Sequence, residues 1–316
     1  MAKRVEVQIG GESREVSADV AHFLDHARAL NTTRAYASDW RDFVYWCAQN
    51  NVESLPASGE TVAEYIAQLA ASSGAKTTTV KRRVSAINNY HDAQGAARPG
   101  HELVVREVLR GITRERRDDT AQAAPIRRAA LVRVIEALQG ASIQIARDRL
   151  LLSLGFYAAL RRSELVGLEV EHVEVHRDGL TVFLPFSKTD QSGEGALIAV
   201  RGTNDASDPV AAVAQWKALS GVVTGPLLRG VTVRHQVRKT PMSPGSVNAI
   251  VKAAVARVGE DPALYSGHSM RAGFVTSARE AGVPDHMIMH TTRHKDVRML
   301  SVYSRVGEAF DAAVSW

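Results

Sequence analysis

Apolar residues recur every three to four positions through most of the chain, the spacing of helices that pack by one face. In "SADVAHFLDHARAL" that spacing follows Ser17, a cap by residue type. "NTTRAYASDWRDFVYWCAQN" opens on Asn31 or Thr32 as a cap and aligns Tyr36, Trp40, Phe43, Val44 and Cys47. Val62, Tyr65, Ile66 and Leu69 form the next stripe, in "LPASGETVAEYIAQLAAS". Val80, Val84, Ile87 and Tyr90 form another, which stops near Gly95. Val105, Val108, Leu109 and Ile112 mark a fifth. The pattern predicts an all-helical domain over 17–117, behind a polar and loosely ordered start over 1–16. "RDDTAQAAPI" is charged, then small, then proline, and reads as a linker over 118–126.

Residues 127–316 begin with two more helical patterns, "RRAALVRVIEALQG" and "IQIARDRLLLSLGFYAAL". After "RRSELVGL" the period changes. "HVEVHRDGLTVFLPFSKTDQSGEGALIAV" predicts three short strands with turns at Asp178-Gly179 and Ser192-Gly193. Helical spacing returns in "DPVAAVAQWKALSG", "SPGSVNAIVKAAVARVG", "HSMRAGFVTSAREAG" and "PDHMIMHTTRH", and ends in an amphipathic tail, "GEAFDAAVSW". The predicted class is mainly α: an all-helical first domain, then an α+β domain that is mostly helical with a small antiparallel sheet.

The length of 316 residues agrees with two domains, and 45% hydrophobic with 23% charged residues is an ordinary globular composition. Charge adds more. The formal net charge is +5 and the pI about 9.4, compatible with a nucleic-acid partner. From Lys76 to Arg117 ten residues are basic and four acidic. Arg106, Arg110, Arg114 and Arg117 share one helical face, and Lys81, Arg82 and Arg83 begin the preceding helix. A solvated face is the plain reading of such a run; two consecutive basic helices also suit a phosphate backbone. Arg34, Lys76, Lys81, Arg82, Arg83, Arg106, Arg110 and Arg114 make the candidate DNA-binding set. Cys47 is the single cysteine, set among aromatics, which predicts a buried structural thiol and a reducing compartment. Without a long apolar run or a signal-peptide pattern, the chain is expected to be neither exported nor membrane-spanning.

Several reactive side chains fall outside the apolar stripes. "ALRRSELVGL" places Arg161 and Glu164 within one turn, and "FSKTDQSG" places Lys188 at a hairpin tip. "SGHSMRAGF" gives His268 and Arg271, three residues apart at a helix mouth; "RHKDVRMLSVY" gives His294 and, nine residues later, Tyr303. Two guanidinium groups can clamp the non-bridging oxygens of a phosphate, whose charge grows at five-coordinate phosphorus. A tyrosine hydroxyl can attack the phosphorus, and a lysine or histidine can protonate the leaving oxygen. The set fits metal-free phosphoryl transfer onto tyrosine. A rival pattern is His286, His290 and His294, every four residues, a spacing that can gather histidines for zinc, although no carboxylate or cysteine completes it.

In order and spacing, Arg161 in "ALRRSEL", Lys188 in "SKT", His268-x-x-Arg271, His294 and Tyr303 resemble the tyrosine recombinases, the phage-integrase family. The first half, with "NTTRAYASDWRDF", "LPAS", "KRRVSAINNYH" and "VLRGITR", resembles the core-binding domain of its Cre-like members. The resemblance runs from about Ser17 onward. It implies a site-specific recombinase that needs neither metal nor ATP. Tyr303 would attack the scissile phosphate to leave a 3′-phosphotyrosyl link and a 5′-hydroxyl. Arg161, Arg271 and His294 would hold the phosphate, Lys188 would protonate the 5′-oxygen, and His268 would assist binding or proton transfer. Glu164 would orient Arg161 or His268. Two such exchanges through a Holliday junction would recombine paired inverted-repeat sites on duplex DNA. A homo-tetramer is implied, with the tail docked on a neighbouring subunit, as is a cytoplasmic protein of a prokaryote, phage, plasmid or other mobile element. A type IB topoisomerase, a telomere resolvase and a non-catalytic DNA-binding protein are the alternatives. One departure stands out: the family usually has Leu-Gly before the second histidine, and this chain has Thr292-Arg293.

Overall fold

The computed structural model describes residues 4–9, 12–26, 30–116, 123–185, 195–294 and 296–297. The chain divides into two units, Met1–Thr120 and Ala121–Trp316.

The first unit opens with a hairpin, β1 (Arg4–Ile9) paired antiparallel with β2 (Glu12–Ser17). This departs from the loosely ordered start that the polarity suggested. Val5 and Val16 face each other in the ladder, a period-two alternation that the surrounding charges obscure. Helix α1 (Ala18–His26) follows, and the Val20 amide donates to Ser17 Oγ at 3.3 Å, so Ser17 is a cap as expected. Helix α2 (Leu30–Gln49) already includes residues 31 and 32, so neither is its cap. Helix α3 (Gly59–Ser73) is capped by Ser58, whose Oγ accepts from the Thr61 amide at 3.2 Å. Helices α4 (Thr77–Ala93) and α5 (Leu103–Glu115) complete the unit. Their apolar stripes meet in one core around Phe43, Val62, Tyr65, Ile66, Val80, Ile87 and Val105. Trp40 stacks on Tyr90 at 4.5 Å. Cys47 is buried in this core, and burial pushes its thiol up to about 11, so it carries little thiolate at neutral pH.

The second unit begins with α6 (Arg128–Glu136), α7 (Ile143–Tyr157) and the single-turn α8 (Arg162–Val166). A three-stranded antiparallel sheet of β3 (Val173–His176), β4 (Gly179–Leu184) and β5 (Ala196–Arg201) comes next, in chain order. The first predicted turn, at Asp178-Gly179, joins β3 and β4; the second, at Ser192-Gly193, lies outside the described residues. Helix α9 (Pro209–Ser220) leads to a second hairpin, β6 (Arg229–Val231) with β7 (Val237–Pro241), which the hydrophobic pattern did not predict. Its strands are short and only partly buried, so they show little alternation. Helices α10 (Pro244–Ala256), α11 (Ser269–Glu280) and α12 (Asp285–Thr292) follow. The tail "GEAFDAAVSW" lies outside the described residues.

Helix α7 is central. Leu150, Leu151, Leu152, Leu154 and Phe156 are all buried, so more than one face of the helix is covered. It packs against α9 on one side and α11 on another. One glycine allows the approach to α11, and a second seats the segment that precedes α6. A Cβ on Gly155 would sit 2.6 Å from Met270 Sδ, and one on Gly273 would sit 1.9 Å from the carbonyl oxygen of Ile126. The small residues around His268 and Arg271 therefore let the chain at Ile126 lie directly against α11. Gly273→Ala is expected to lower stability by about 2–3 kcal/mol, because the neighbour is backbone and cannot rotate away. Urea melts of the two proteins would check this; an unchanged midpoint would mean that the segment at Ile126 is free to shift.

Candidate active site

The site grows from three turns. The first is the break between α7 and α8. Ala158 and Ala159 leave the helix, and Ala159 takes a left-handed conformation with φ 47°. Such a conformation costs a non-glycine residue about 1–2 kcal/mol, and it turns the Ala159 carbonyl inward. Arg161 then caps α8. Its backbone amide donates to Glu164 Oε2 at 2.8 Å, and its Nη1 donates to Glu164 Oε1 at 2.7 Å. Glu164 is buried, while Arg161 keeps about a fifth of its side chain exposed.

The second turn is the mouth of α11. Ser266 and Ser269 close it reciprocally: the Ser269 amide donates to the Ser266 carbonyl at 2.9 Å, and the Ser266 amide to Ser269 Oγ at 2.9 Å. Asn248 on α10 fixes the approach by accepting from the Gly267 amide at 2.7 Å. His268 caps α11 and remains at the surface. Desolvation of its inner edge, then the charges of Arg271, Arg161 and Arg162, hold its pKa below the usual imidazole range. Arg271 turns the other way and is 1% exposed. The two residues therefore divide the turn between solvent and interior.

The third turn ends α12. Arg293 has φ 57° and ψ 38°, the left-handed position that usually takes glycine, which accounts for a helix end at Thr291-Thr292-Arg293. Arg271 joins all three turns. Its Nη1 donates to the Ala159 carbonyl at 2.6 Å, and its Nη2 donates to the Thr292 carbonyl and to His294 Nε2, the latter at 2.9 Å. An arginine nitrogen only donates, so His294 Nε2 accepts and the ring proton sits on Nδ1. That proton goes to Thr292 Oγ1 at 3.0 Å, and the Thr292 hydroxyl donates to the Ile288 carbonyl at 2.8 Å. His294 is thus neutral, with a pKa lowered to about 4, first by burial and then by Arg271 and Arg161.

This has a linkage consequence. The unfolded chain takes up a proton at His294 near pH 6.5, and the native state does so only near pH 4. The native form is favoured above the unfolded pKa, and stability falls as pH drops through that window, by at most about 1.4 kcal/mol per pH unit. Urea melts between pH 7.5 and 4.5 are expected to show a shallower decline for His294→Gln than for the parent. Equal slopes would rule out His294 as the titrating group.

Sequence reasoning placed Arg161, Glu164, His268, Arg271 and His294 in one site, and the structure brings these five together. Lys188, between β4 and β5, and Tyr303 lie outside the described residues. Two participants were missed as site residues: Ala159, which no side-chain chemistry announces, and Arg293, which the departure from Leu-Gly did signal. Of the rival histidines, His286 and His290 are exposed on α12 while His294 is buried against Arg271. Among the described residues, no group of three His, Cys, Asp or Glu is placed to hold a metal. In the first unit, Arg82 bonds Asp39 at 2.5 Å, and Arg83 is tied to Asp42 and the Tyr65 hydroxyl. Arg110 pairs with Glu107 at 2.7 Å. Arg34, Lys76, Lys81, Arg106 and Arg114 are exposed.

A buried guanidinium beside a neutral imidazole, on a helical unit with a small sheet, is chemistry that suits phosphoryl transfer. The chain belongs to the phage integrase family, the tyrosine-type site-specific recombinases: residues 126–309 match that family, and residues 21–96 match its N-terminal SAM-like domain. It is 37% identical to an integrase/recombinase xerD homolog of Selenomonas ruminantium over 291 residues, which cover 91% of this chain and 85% of the relative. It is 24% identical to the Cre recombinase of Escherichia phage P1, over 87% of this chain and 84% of that one. Among solved structures, the Tn1549 transposon integrase in complex with transposon right end DNA shares the fold with a TM-score of 0.60, at 16% identity over 93% of this chain and 98% of that chain. The chain is therefore an enzyme of site-specific recombination with a mainly helical fold. No described helix is long and apolar enough to cross a membrane.

Proposed function

We propose that the protein recombines paired inverted-repeat sites on duplex DNA through a covalent 3′-phosphotyrosyl intermediate. The observation that carries this reading is the convergence of Arg161, Arg271, His268 and His294 from three distant stretches of chain. The Tyr303 oxygen bonds to the scissile phosphorus and the bond from phosphorus to the 5′-oxygen breaks. His268, held neutral, accepts the phenolic proton. Lys188 gives a proton to the departing 5′-oxygen. Arg161 and Arg271 balance the charge on the five-coordinate phosphorus. His294 acts through Arg271, whose plane it fixes. A 5′-hydroxyl from the partner site then attacks the phosphotyrosine and reverses every transfer, so no energy source is needed. Two exchanges by way of a Holliday junction complete recombination, within a homo-tetramer whose C-terminal tails dock on neighbouring subunits.

The domain reading is kept as 17–117 for DNA binding, a linker over 118–126 and catalysis in 127–316. In the first unit, Arg34, Lys76, Lys81, Arg106 and Arg114 meet the backbone phosphates. Arg82, Arg83 and Arg110 shape that surface while ion-paired, and exchange carboxylate for phosphate where the DNA reaches them.

The test is covalent trapping without metal or ATP. The protein is incubated with a library of duplexes, each nicked close to a candidate cleavage position so that the cleaved end diffuses away. Detergent-resistant protein–DNA adducts are then captured and sequenced. Adducts enriched for one inverted repeat support the proposal. Reversible binding with no adduct would leave a DNA-binding protein, and adducts with no sequence preference would leave a topoisomerase; either result overturns it.

A further inference from the structure

The residue that departs from the family pattern sits inside the site. Arg293 holds a left-handed backbone position that glycine would occupy without strain. Its side chain is 9% exposed. Nη2 donates to Glu164 Oε2 at 2.7 Å, and Nη1 donates to the Thr291 carbonyl at 3.0 Å. Among the described residues, its buried Nε has no hydrogen-bond partner. Glu164 thus stands between two arginines, with Arg161 on Oε1 and Arg293 on Oε2.

Charge gives this arrangement its meaning. A lone Glu164–Arg161 pair sums to zero and offers a phosphate little. Adding Arg293 leaves the triad with a net charge of +1. The carboxylate still fixes the Arg161 side chain, but its negative charge is offset from the far side.

We propose that Arg293 is a positioning residue that neutralises Glu164, so that Arg161 keeps its full cationic pull on the scissile phosphate. Two effects agree with this. Burial works against an ionised Glu164, yet Arg293 and the Arg161 bonds outweigh it and hold the carboxyl below its usual range. Arg293 itself is pushed below the usual guanidinium range, first by burial, with Glu164 opposing the shift. The inference rests on the recombinase reading for its substrate, but its anion chemistry can be measured without DNA.

The experiment is a charge-rescue cycle of Arg293→Gly, Glu164→Gln and the double variant. Each is read twice, by single-turnover adduct formation and by the affinity for inorganic phosphate taken from thermal shift. Arg293→Gly is expected to slow adduct formation about 10–100-fold and weaken phosphate binding about 5–10-fold. Adding Glu164→Gln removes the unbalanced negative charge while the amide oxygen still accepts from Arg161. It is expected to restore at least about tenfold of the lost cleavage. A merely structural arginine would give no such rescue, because a second substitution in a buried network would lower activity further. Wild-type cleavage in Arg293→Gly, or a double variant worse than either single one, overturns the inference. If Arg293→Gly does not fold, Arg293→Asn, which tolerates the same backbone, is read by the same criteria. If the parent forms no adduct but loses phosphate affinity on substitution at Arg293, the recombinase reading fails and this one stands.

Discussion

Tyr303→Phe is expected to bind DNA as tightly as the parent, within about threefold, and to form no covalent adduct. The phenol carries no charge at neutral pH, so its loss leaves the electrostatic part of DNA binding intact. The oxygen is the only atom of that side chain able to bond phosphorus. Deleting a nucleophile typically costs an enzyme at least about 10^4-fold in rate. The two tyrosines that flank the site residues in sequence, Tyr157 and Tyr265, have hydroxyls already engaged elsewhere. The Tyr157 hydroxyl is bonded to Ser207 Oγ at 2.7 Å, and the Tyr265 hydroxyl donates to Glu260 at 3.0 Å. Burial and Glu260 also raise the pKa of Tyr265, which makes it a weaker nucleophile. Filter binding and detergent gels on one nicked duplex measure both properties. An adduct that survives in the variant would assign the attack to another residue.

Arg271→Lys is expected to cost both the fold and the chemistry, although it keeps the charge. One ammonium cannot reach the Ala159 carbonyl, the Thr292 carbonyl and His294 Nε2 together, as the planar guanidinium does. At least one buried acceptor is left unpaired, at about 1–3 kcal/mol each, so the total loss should be about 2–4 kcal/mol. The rate of adduct formation is expected to fall at least about 10^3-fold, because the three turns are no longer pinned together and, on the proposed mechanism, the guanidinium that faces the phosphate is lost. The two losses can be measured separately. A urea titration gives the stability change, and adduct formation well below the midpoint gives the chemical change in folded protein. A variant that cleaves normally while folded would reduce Arg271 to a structural strut.

Much of this was legible in the sequence, for identifiable reasons. The helices of both units were visible because their apolar stripes bury against one another. The β3–β4–β5 sheet was visible because its period differs from that of its surroundings. The first hairpin was hidden by its charges, and the β6–β7 hairpin by strands too short and too exposed to alternate. The site residues were readable from their types and order, yet their division of labour was not. Nothing in "SGHSMRAGF" says that Arg271 would be buried while His268 stays outside. Arg82 and Arg83 read as a basic face, and the structure gives them Asp39 and Asp42 as partners from a different helix. Ion pairs between distant segments leave no periodic trace. The Ala159 carbonyl is a backbone group, which composition cannot reveal.

The seat of Ile126 against Gly273 reaches beyond packing. The Ile126 amide donates to the Ser269 carbonyl at 3.0 Å, and the Ala124 amide to the Leu264 carbonyl at 2.8 Å. The chain arriving from the first unit is thereby stitched to the foot of the helix that carries Arg271, and to the segment just before His268. A displacement of residues 124–126 would therefore be felt at the turn that sets His268 and Arg271, although neither residue is touched directly by those two bonds.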